Sequence, residues 1–274
     1  MTLLKFSSQA KCLLRDIFLC AAFHLVSPNT VCSDSRTITF VLAEREYGTN
    51  KSVPEFFESE LKPLGFRGTF VNASPEGNSR NDLVGLERAL GKSDLLFVSV
   101  RRRAPKASQM QSIRKWIKSG KPVVGIRTSS HAFHLRGKPA PAGHELWEEW
   151  DSEVFGGSYS GHHGNQFKTW YRLAPDATHH PITTGLTPFD EMVSGGSLYK
   201  VLPLSESTRA LALGRAESIK QLEPVAWTNR PKAGNRVFYT SLGHVADFKS
   251  KNFRLILLNA IHWALKLKPP GKLQ

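Results

Sequence analysis

Asp94-Leu-Leu-Phe-Val-Ser-Val100 and, one helix-patterned stretch later, Pro122-Val-Val-Gly-Ile126 decide the fold. Both runs are apolar at nearly every position, so both faces of the chain are suited to burial, and both are short enough for strands. Between them, residues 106–118 set Met110, Ile113, Trp116 and Ile117 on one helical face, and Gly120 supplies the stop signal. Doubly buried strands joined by a single helix imply a parallel β-α-β unit. The alternation extends towards the N-terminus. Thr37–Ala43 reads as a strand, followed by Val53, Phe56, Phe57, Leu61 and Leu64 at helical spacing. Residues 66–73 read as a second strand, and 81–90 as a helix aligning Leu83, Leu86 and Leu90. Beyond residue 126 the pattern loosens: Gly156-Gly157, Gly161, Gly164 and Gly195-Gly196 mark loops. Strands are expected at 211–216, 224–228 and 236–240, the last two joined by a hairpin turn across 230–235. A helix at 252–267, with Phe253, Leu257, Ile261 and Leu265 aligned, ends before Pro269-Pro270. The expectation is an α/β three-layer sandwich with a mostly parallel sheet over residues 36–266 and a tail at 267–274.

The 274 residues include 40% hydrophobic and 10% aromatic side chains, enough for a core, which excludes disordered and collagen-like classes. Lys+Arg number 37 against 23 Asp+Glu, a net charge of +14. These basic residues are scattered (Lys51, Arg88, Lys168, Lys220 and Lys251 among them) without interleaved aromatics, so no nucleic-acid partner is expected. Cys12, Cys20 and Cys32 all lie near the start, and no thiol follows to act as nucleophile or metal ligand. Residues 1–33 carry Lys5, Lys11 and Arg15, then the apolar run Ile17-Phe-Leu-Cys-Ala-Ala-Phe-His-Leu-Val26, then Cys32-Ser33. This is the order of an export signal, and the run is about half the length of a membrane-spanning helix. A periplasmic or extracellular mature protein without a membrane span is therefore expected; an untidy N-terminal extension is the alternative.

Open α/β sheets bind ligands outside the carboxyl ends of their strands. Arg101-Arg-Arg103 follows one central strand, and Arg127-Thr-Ser-Ser-His131 follows the next, which puts both on one rim. Guanidinium groups offer planar, multidentate donors to carboxylate, phosphate or polyhydroxylated ligands. The alternatives are a solvated turn for the arginine run and a core position for His131. A second constellation is Phe155-Gly-Gly-Ser-Tyr159-Ser-Gly-His162-His163, where glycines admit close backbone approach and histidines offer groups titrating near neutrality. Thr240-Ser-Leu-Gly-His244 brings a further histidine to the rim, whereas His180 before Pro181 reads as structural. There is no Gly-x-Ser-x-Gly elbow, P-loop, dinucleotide fingerprint or HExxH spacing, so no cofactor is expected and a divalent metal has no supporting motif.

In Gly125-Ile-Arg-Thr-Ser-Ser-His-Ala-Phe133, the Phe155–His162 segment, Pro224-Val-Ala-Trp-Thr228 and Arg236-Val-Phe-Tyr-Thr-Ser-Leu-Gly-His244, the chain resembles the ThuA-like (trehalose utilisation) family. That family has the class I glutamine amidotransferase-like, flavodoxin-related fold. The resemblance implies action on trehalose-type disaccharides or their keto-sugar derivatives. Arg127 stands where amidotransferases carry their cysteine, which excludes glutamine hydrolysis through a thiolate. Two departures matter: Arg127 replaces a histidine common in relatives, and Gly196-Ser-Leu-Tyr199 replaces an Asp-Glu-Leu-Tyr segment. Glu44, Asp190 and Glu191 are the candidate substitutes for the missing carboxylates. The resulting expectation assigns acid/base roles to His131, His162 and His244. It assigns carbohydrate binding to Arg103, Arg127, Thr128, Tyr159, His163 and Trp227. A homo-oligomer is compatible with the sequence, and a non-catalytic sugar- or small-anion-binding domain is the alternative function.

Overall fold

Strand β1 (Thr37–Ala43), helix α1 (Thr49–Phe56), β2 (Arg67–Asn72), α2 (Leu86–Leu90), β3 (Leu95–Val100), α3 (Ala107–Lys118) and β4 (Val123–Ile126) form the regular half of the computed structural model. The structure describes residues 35–74, 78–187, 190–217 and 219–274; the candidate export signal lies outside them. The second half supplies β5 (Gly161–His162), β6 (Thr169–Leu173), β7 (Met192–Ser194), β8 (Tyr199–Lys200), β9 (Thr208–Ala216), β10 (Glu223–Asn229), β11 (Val237–Thr240) and α4 (Lys251–Ala264). Nine strands form one sheet in the order β2-β1-β3-β4-β11-β10-β9-β6-β7, while β5 and β8 pair separately. Only β10 and β6 run against the other seven, so the sheet is mixed but mostly of one direction.

Every residue of β3, β4 and β11 is buried, because helices cover both faces. One face packs Phe40, Phe97 and Phe238 against Val53 and Phe56 of α1 and Leu257 and Ile261 of α4. The other packs Val98, Val123 and Tyr239 against Leu86 of α2, Met110 and Ile113 of α3, and the aromatic group Trp150 and Phe155. The α/β three-layer expectation holds.

Two elements differ from the sequence reading. The helix expected at 81–90 is α-helical only over Leu86–Leu90, with Gly85 at φ 84° before it. Side chains explain the shortening: Leu83 N donates to Gln109 Oε1 at 3.1 Å, and Ala104 N donates to Asn81 Oδ1 at 3.2 Å, so this backbone is held by amides rather than by its own helix. The terminal residues also belong to the fold. Leu267 and Leu273 pack on the core, Gly271 N donates to Asn259 Oδ1 at 3.2 Å, and Gln274 N donates to Glu60 Oε2 at 2.9 Å. Among the described residues no helix is long and apolar enough to cross a membrane.

Candidate functional site

Register places the site. Thr240 is paired with Ile126, so Arg127 and Ser241 leave the sheet side by side at its carboxyl edge. Arg127 turns at once into left-handed backbone, φ 48°, and its side chain is 2% exposed. Its Nη1 donates to Ser241 O at 2.7 Å and Ser197 O at 2.9 Å; Nη2 donates to Ser197 Oγ at 3.1 Å and to the Tyr47 hydroxyl at 3.4 Å. The guanidinium carbon lies 4.2 Å from the Tyr199 ring centre and 4.8 Å from that of Tyr47, a cation between two aromatic faces. Gly196 is required beside it, since a Cβ there would lie 2.8 Å from the guanidinium carbon. Burial lowers the Arg127 pKa, but the oxygens of Tyr199 and Tyr47 more than offset this, and the net shift is upward. Among the described residues Arg127 has no carboxylate partner. It is a buried cation held by carbonyl, hydroxyl and ring dipoles, with its Nε buried and without a hydrogen-bond partner, so its charge is not neutralised by the described residues.

Arg127 forms the floor of a cavity of about 440 Å³, whose walls include Tyr47, His131, Tyr159, His162, Tyr199 and His244. His131 stacks on Tyr159 at 4.3 Å, and its Nδ1 lies 3.1 Å from Ser130 Oγ. Burial, then Arg102 and His134, hold its pKa well below 6.5, so it is a neutral imidazole at physiological pH. The His162 pKa is lowered too, by burial and then by Arg127. His162 Nδ1 accepts from Gly164 N at 3.3 Å, and His244 Nδ1 accepts from Ala246 N at 3.2 Å. In their neutral forms both rings therefore carry the proton on Nε2. The cavity's one lining carboxylate among the described residues, Glu46, pairs with Arg101 at 2.7 Å, leaving lining Arg136 without an ion partner.

The loops that carry these groups are joined from behind by Asp247, which is 3% exposed. Its Oδ2 accepts from Ser194 Oγ at 2.8 Å, Gly243 N at 2.8 Å and His244 N at 3.0 Å, and its Oδ1 from Gly195 N at 3.2 Å. One carboxylate thus fixes the Gly195-Gly196 turn under Arg127 and the His244 loop beside it. Among the described residues no group of three or more His, Asp, Glu or Cys side chains converges as a metal site.

A family model described as ThuA, trehalose utilisation, matches residues 76–264. The chain belongs to the ThuA family. Among solved structures, a putative ThuA-like protein from Bacteroides uniformis matches at 16% identity and TM-score 0.59, covering 87% of this chain and 94% of that one. One from Parabacteroides merdae matches at 14% identity and TM-score 0.57, covering 88% and 92%. The mmIFT52 N-terminal domain also matches, at 11% identity and TM-score 0.51, covering 84% and 97%. At these identities the likeness is one of fold. No curated protein matches the chain.

In this ThuA-family chain the cavity gathers Arg127, Tyr159 and the three histidines expected at the rim, and leaves the other expected residues outside. Arg103 lines a different cavity. Thr128 is fully buried, with its hydroxyl unpartnered. His163 Nε2 lies 3.0 Å from Glu223 Oε1, a pair turned into the fold. Trp227 is fully buried, donates Nε1–H to Phe155 O at 2.7 Å and packs 4.5 Å from Tyr239, so it is core. Of the carboxylates considered as substitutes, Glu44 accepts from Thr49 N at 2.8 Å and so caps α1, while Glu191 binds exposed Arg215 at 2.9 Å. The sequence reading missed Tyr47, Ser197, Arg136 and Asp247. Tyr47 was within reach of the rim rule, because it follows β1 as Arg101 follows β3.

Proposed function

We propose that this ThuA-family protein is an exported carbohydrate-processing enzyme, and that its cavity takes an oxidised derivative of a trehalose-type disaccharide. The observation that carries the reading is Arg127, a buried cation with no carboxylate partner among the described residues, facing neutral His131 across a cavity of small-molecule size. A ring carbonyl lying in the field of the Arg127 charge is polarised by it, which acidifies the adjacent C–H. An imidazole nitrogen of His131 takes that proton, the electron pair forms a carbon–carbon double bond, and the glycosidic carbon–oxygen bond breaks. The Nε2–H groups of His162 and His244 are the available proton donors to the departing oxygen.

Purified protein incubated with trehalose, sucrose and their 3-keto forms tests this. Keto sugars are expected to be consumed and the parent sugars spared, with His131→Ala slowing turnover about 100-fold or more. Turnover that survives both His131→Ala and His162→Ala would remove the assignment. A second reading, a non-catalytic binder of sugars or small anions, is favoured by the pairing of Glu46 with Arg101, which leaves no free carboxylate in the cavity among the described residues. Keto sugars raising the melting temperature without being consumed would select it.

A further inference from the structure

The arginine run leaving β3 divides between two cavities. Arg101 faces the cavity described above, whereas Arg103 lines a second one of about 550 Å³ together with Ala43, Arg45, Asn50, Asn72 and Ser74. This second cavity lies outside the carboxyl ends of β1 and β2, on the edge from which open α/β sheets bind ligands. Arg103 is only 8% exposed. Its Nη1 donates to Arg101 O at 2.8 Å and Arg102 O at 3.2 Å, which locks the guanidinium from one side, while its Nε is buried without a hydrogen-bond partner.

Burial, and after it Arg80, Arg45 and Arg101, pull the Arg103 pKa down to about 10; like charges crowd this guanidinium. Among the described residues none of Arg45, Arg80 and Arg103 is in an ion pair. The carboxylate on the cavity wall, Glu44, is committed elsewhere. Its Oε2 accepts from Tyr47 N at 2.8 Å, and its Oε1 accepts from Thr49 N at 2.8 Å and Thr49 Oγ1 at 2.6 Å. A fixed guanidinium with a spare donor, beside an exposed second one and two amides, is suited to an oxyanion attached to a polar body.

We propose that this second cavity binds a small anionic metabolite, its phosphate or carboxylate group held by Arg103 and Arg45 and its hydroxyl or carbonyl oxygens by Asn50 and Asn72. The volume leaves room for an organic body beside the oxyanion. The inference is independent of the reading of the first cavity.

Titration calorimetry on the full chain with inorganic phosphate, glucose 6-phosphate and citrate tests the site. Saturable binding is expected, weakened about tenfold or more in both Arg103→Lys and Arg45→Ala, because each loses charge-assisted donors. Arg45 is exposed, so Arg45→Ala keeps the proposal testable if the Arg103 variant folds poorly. Binding by the phosphate compounds and not by citrate identifies a phosphate ester, and the reverse identifies a polycarboxylate. Failure of all three probes to bind would overturn the proposal. So would affinity that is unchanged in Arg45→Ala and Arg103→Lys but lost in Arg136→Ala, which would move the anion to the first cavity.

Discussion

Arg127 combines a left-handed backbone, a buried charge and no carboxylate partner among the described residues, and each has a separate energetic signature. Removing the guanidinium leaves the carbonyls of Ser197 and Ser241 without these donors, at a cost of about 1–3 kcal/mol each. The backbone contribution has the opposite sign, because glycine relieves the strain at φ 48° and alanine does not. Arg127→Gly is therefore expected to unfold in urea at about 1 kcal/mol higher stability than Arg127→Ala, with both below wild type. Asp151 offers a second measurement. Its Oδ2 accepts from Tyr159 N at 2.8 Å, its Oδ1 is unpartnered, and burial pushes its pKa from 3.8 to about 7. Between those values the folded chain holds a proton that the unfolded chain lacks, so stability falls as pH rises through that window. Asp151→Asn, which keeps an acceptor for Tyr159, is expected to exceed wild type at pH ~8 by on the order of 2–3 kcal/mol and to match it near pH ~4.

At the scale of elements, two contacts govern whether the site is assembled. Gly125 in β4 leaves room for Phe155, as a Cβ there would lie 2.3 Å from the Phe155 Cζ. Gly125→Ala is expected to cost about 1–3 kcal/mol in thermal or urea unfolding, through displacement of the aromatic segment that leads to Tyr159. Asp247→Ala removes four hydrogen bonds that join the Ser194–Gly196 turn to the His244 loop. Faster proteolytic cleavage near residues 194–196 in that variant is the expected outcome, with cleavage elsewhere unchanged. These contacts also mark where the sequence stopped being readable. Arg127 and His131 could be placed because they follow an apolar strand, and strand exits obey a simple rule. Asp247 and Ser197 could not, because they act through backbone groups from loops with no period. Trp227 misled for the opposite reason: its indole serves the core, and a residue string alone does not show which way a side chain on a doubly buried strand faces.

For the whole molecule, the regular half of the sheet was legible because β1, β3 and β4 are largely apolar and helices alternate with the strands from β1 to β4. Strand β6 and the edge strand β7 were not, since their residues alternate or are too few to give a pattern. The folded state also carries a collective acid sensitivity. Burial lowers the pKa of His131, His134, His162, His180 and His262, that of His180 to about 4. Unfolding restores values near 6.5, so below that pH the unfolded chain binds more protons and stability drops as pH falls towards ~4. The urea midpoint is expected to be lower at pH ~5 than at pH ~7, and the drop to be larger in Asp151→Asn, where the opposing carboxyl effect is absent.

The docking of the terminal residues has a practical corollary. Gly185 lies so close to Gly271 that a Cβ on it would overlap the Gly271 carbonyl, and Gln274 N reaches Glu60, a residue that Arg254 of α4 also engages. A protease that cuts within residues 267–274 must first peel this segment off the core. The rate of that cleavage under native conditions would then report how often the α4 end of the molecule opens, without any added label.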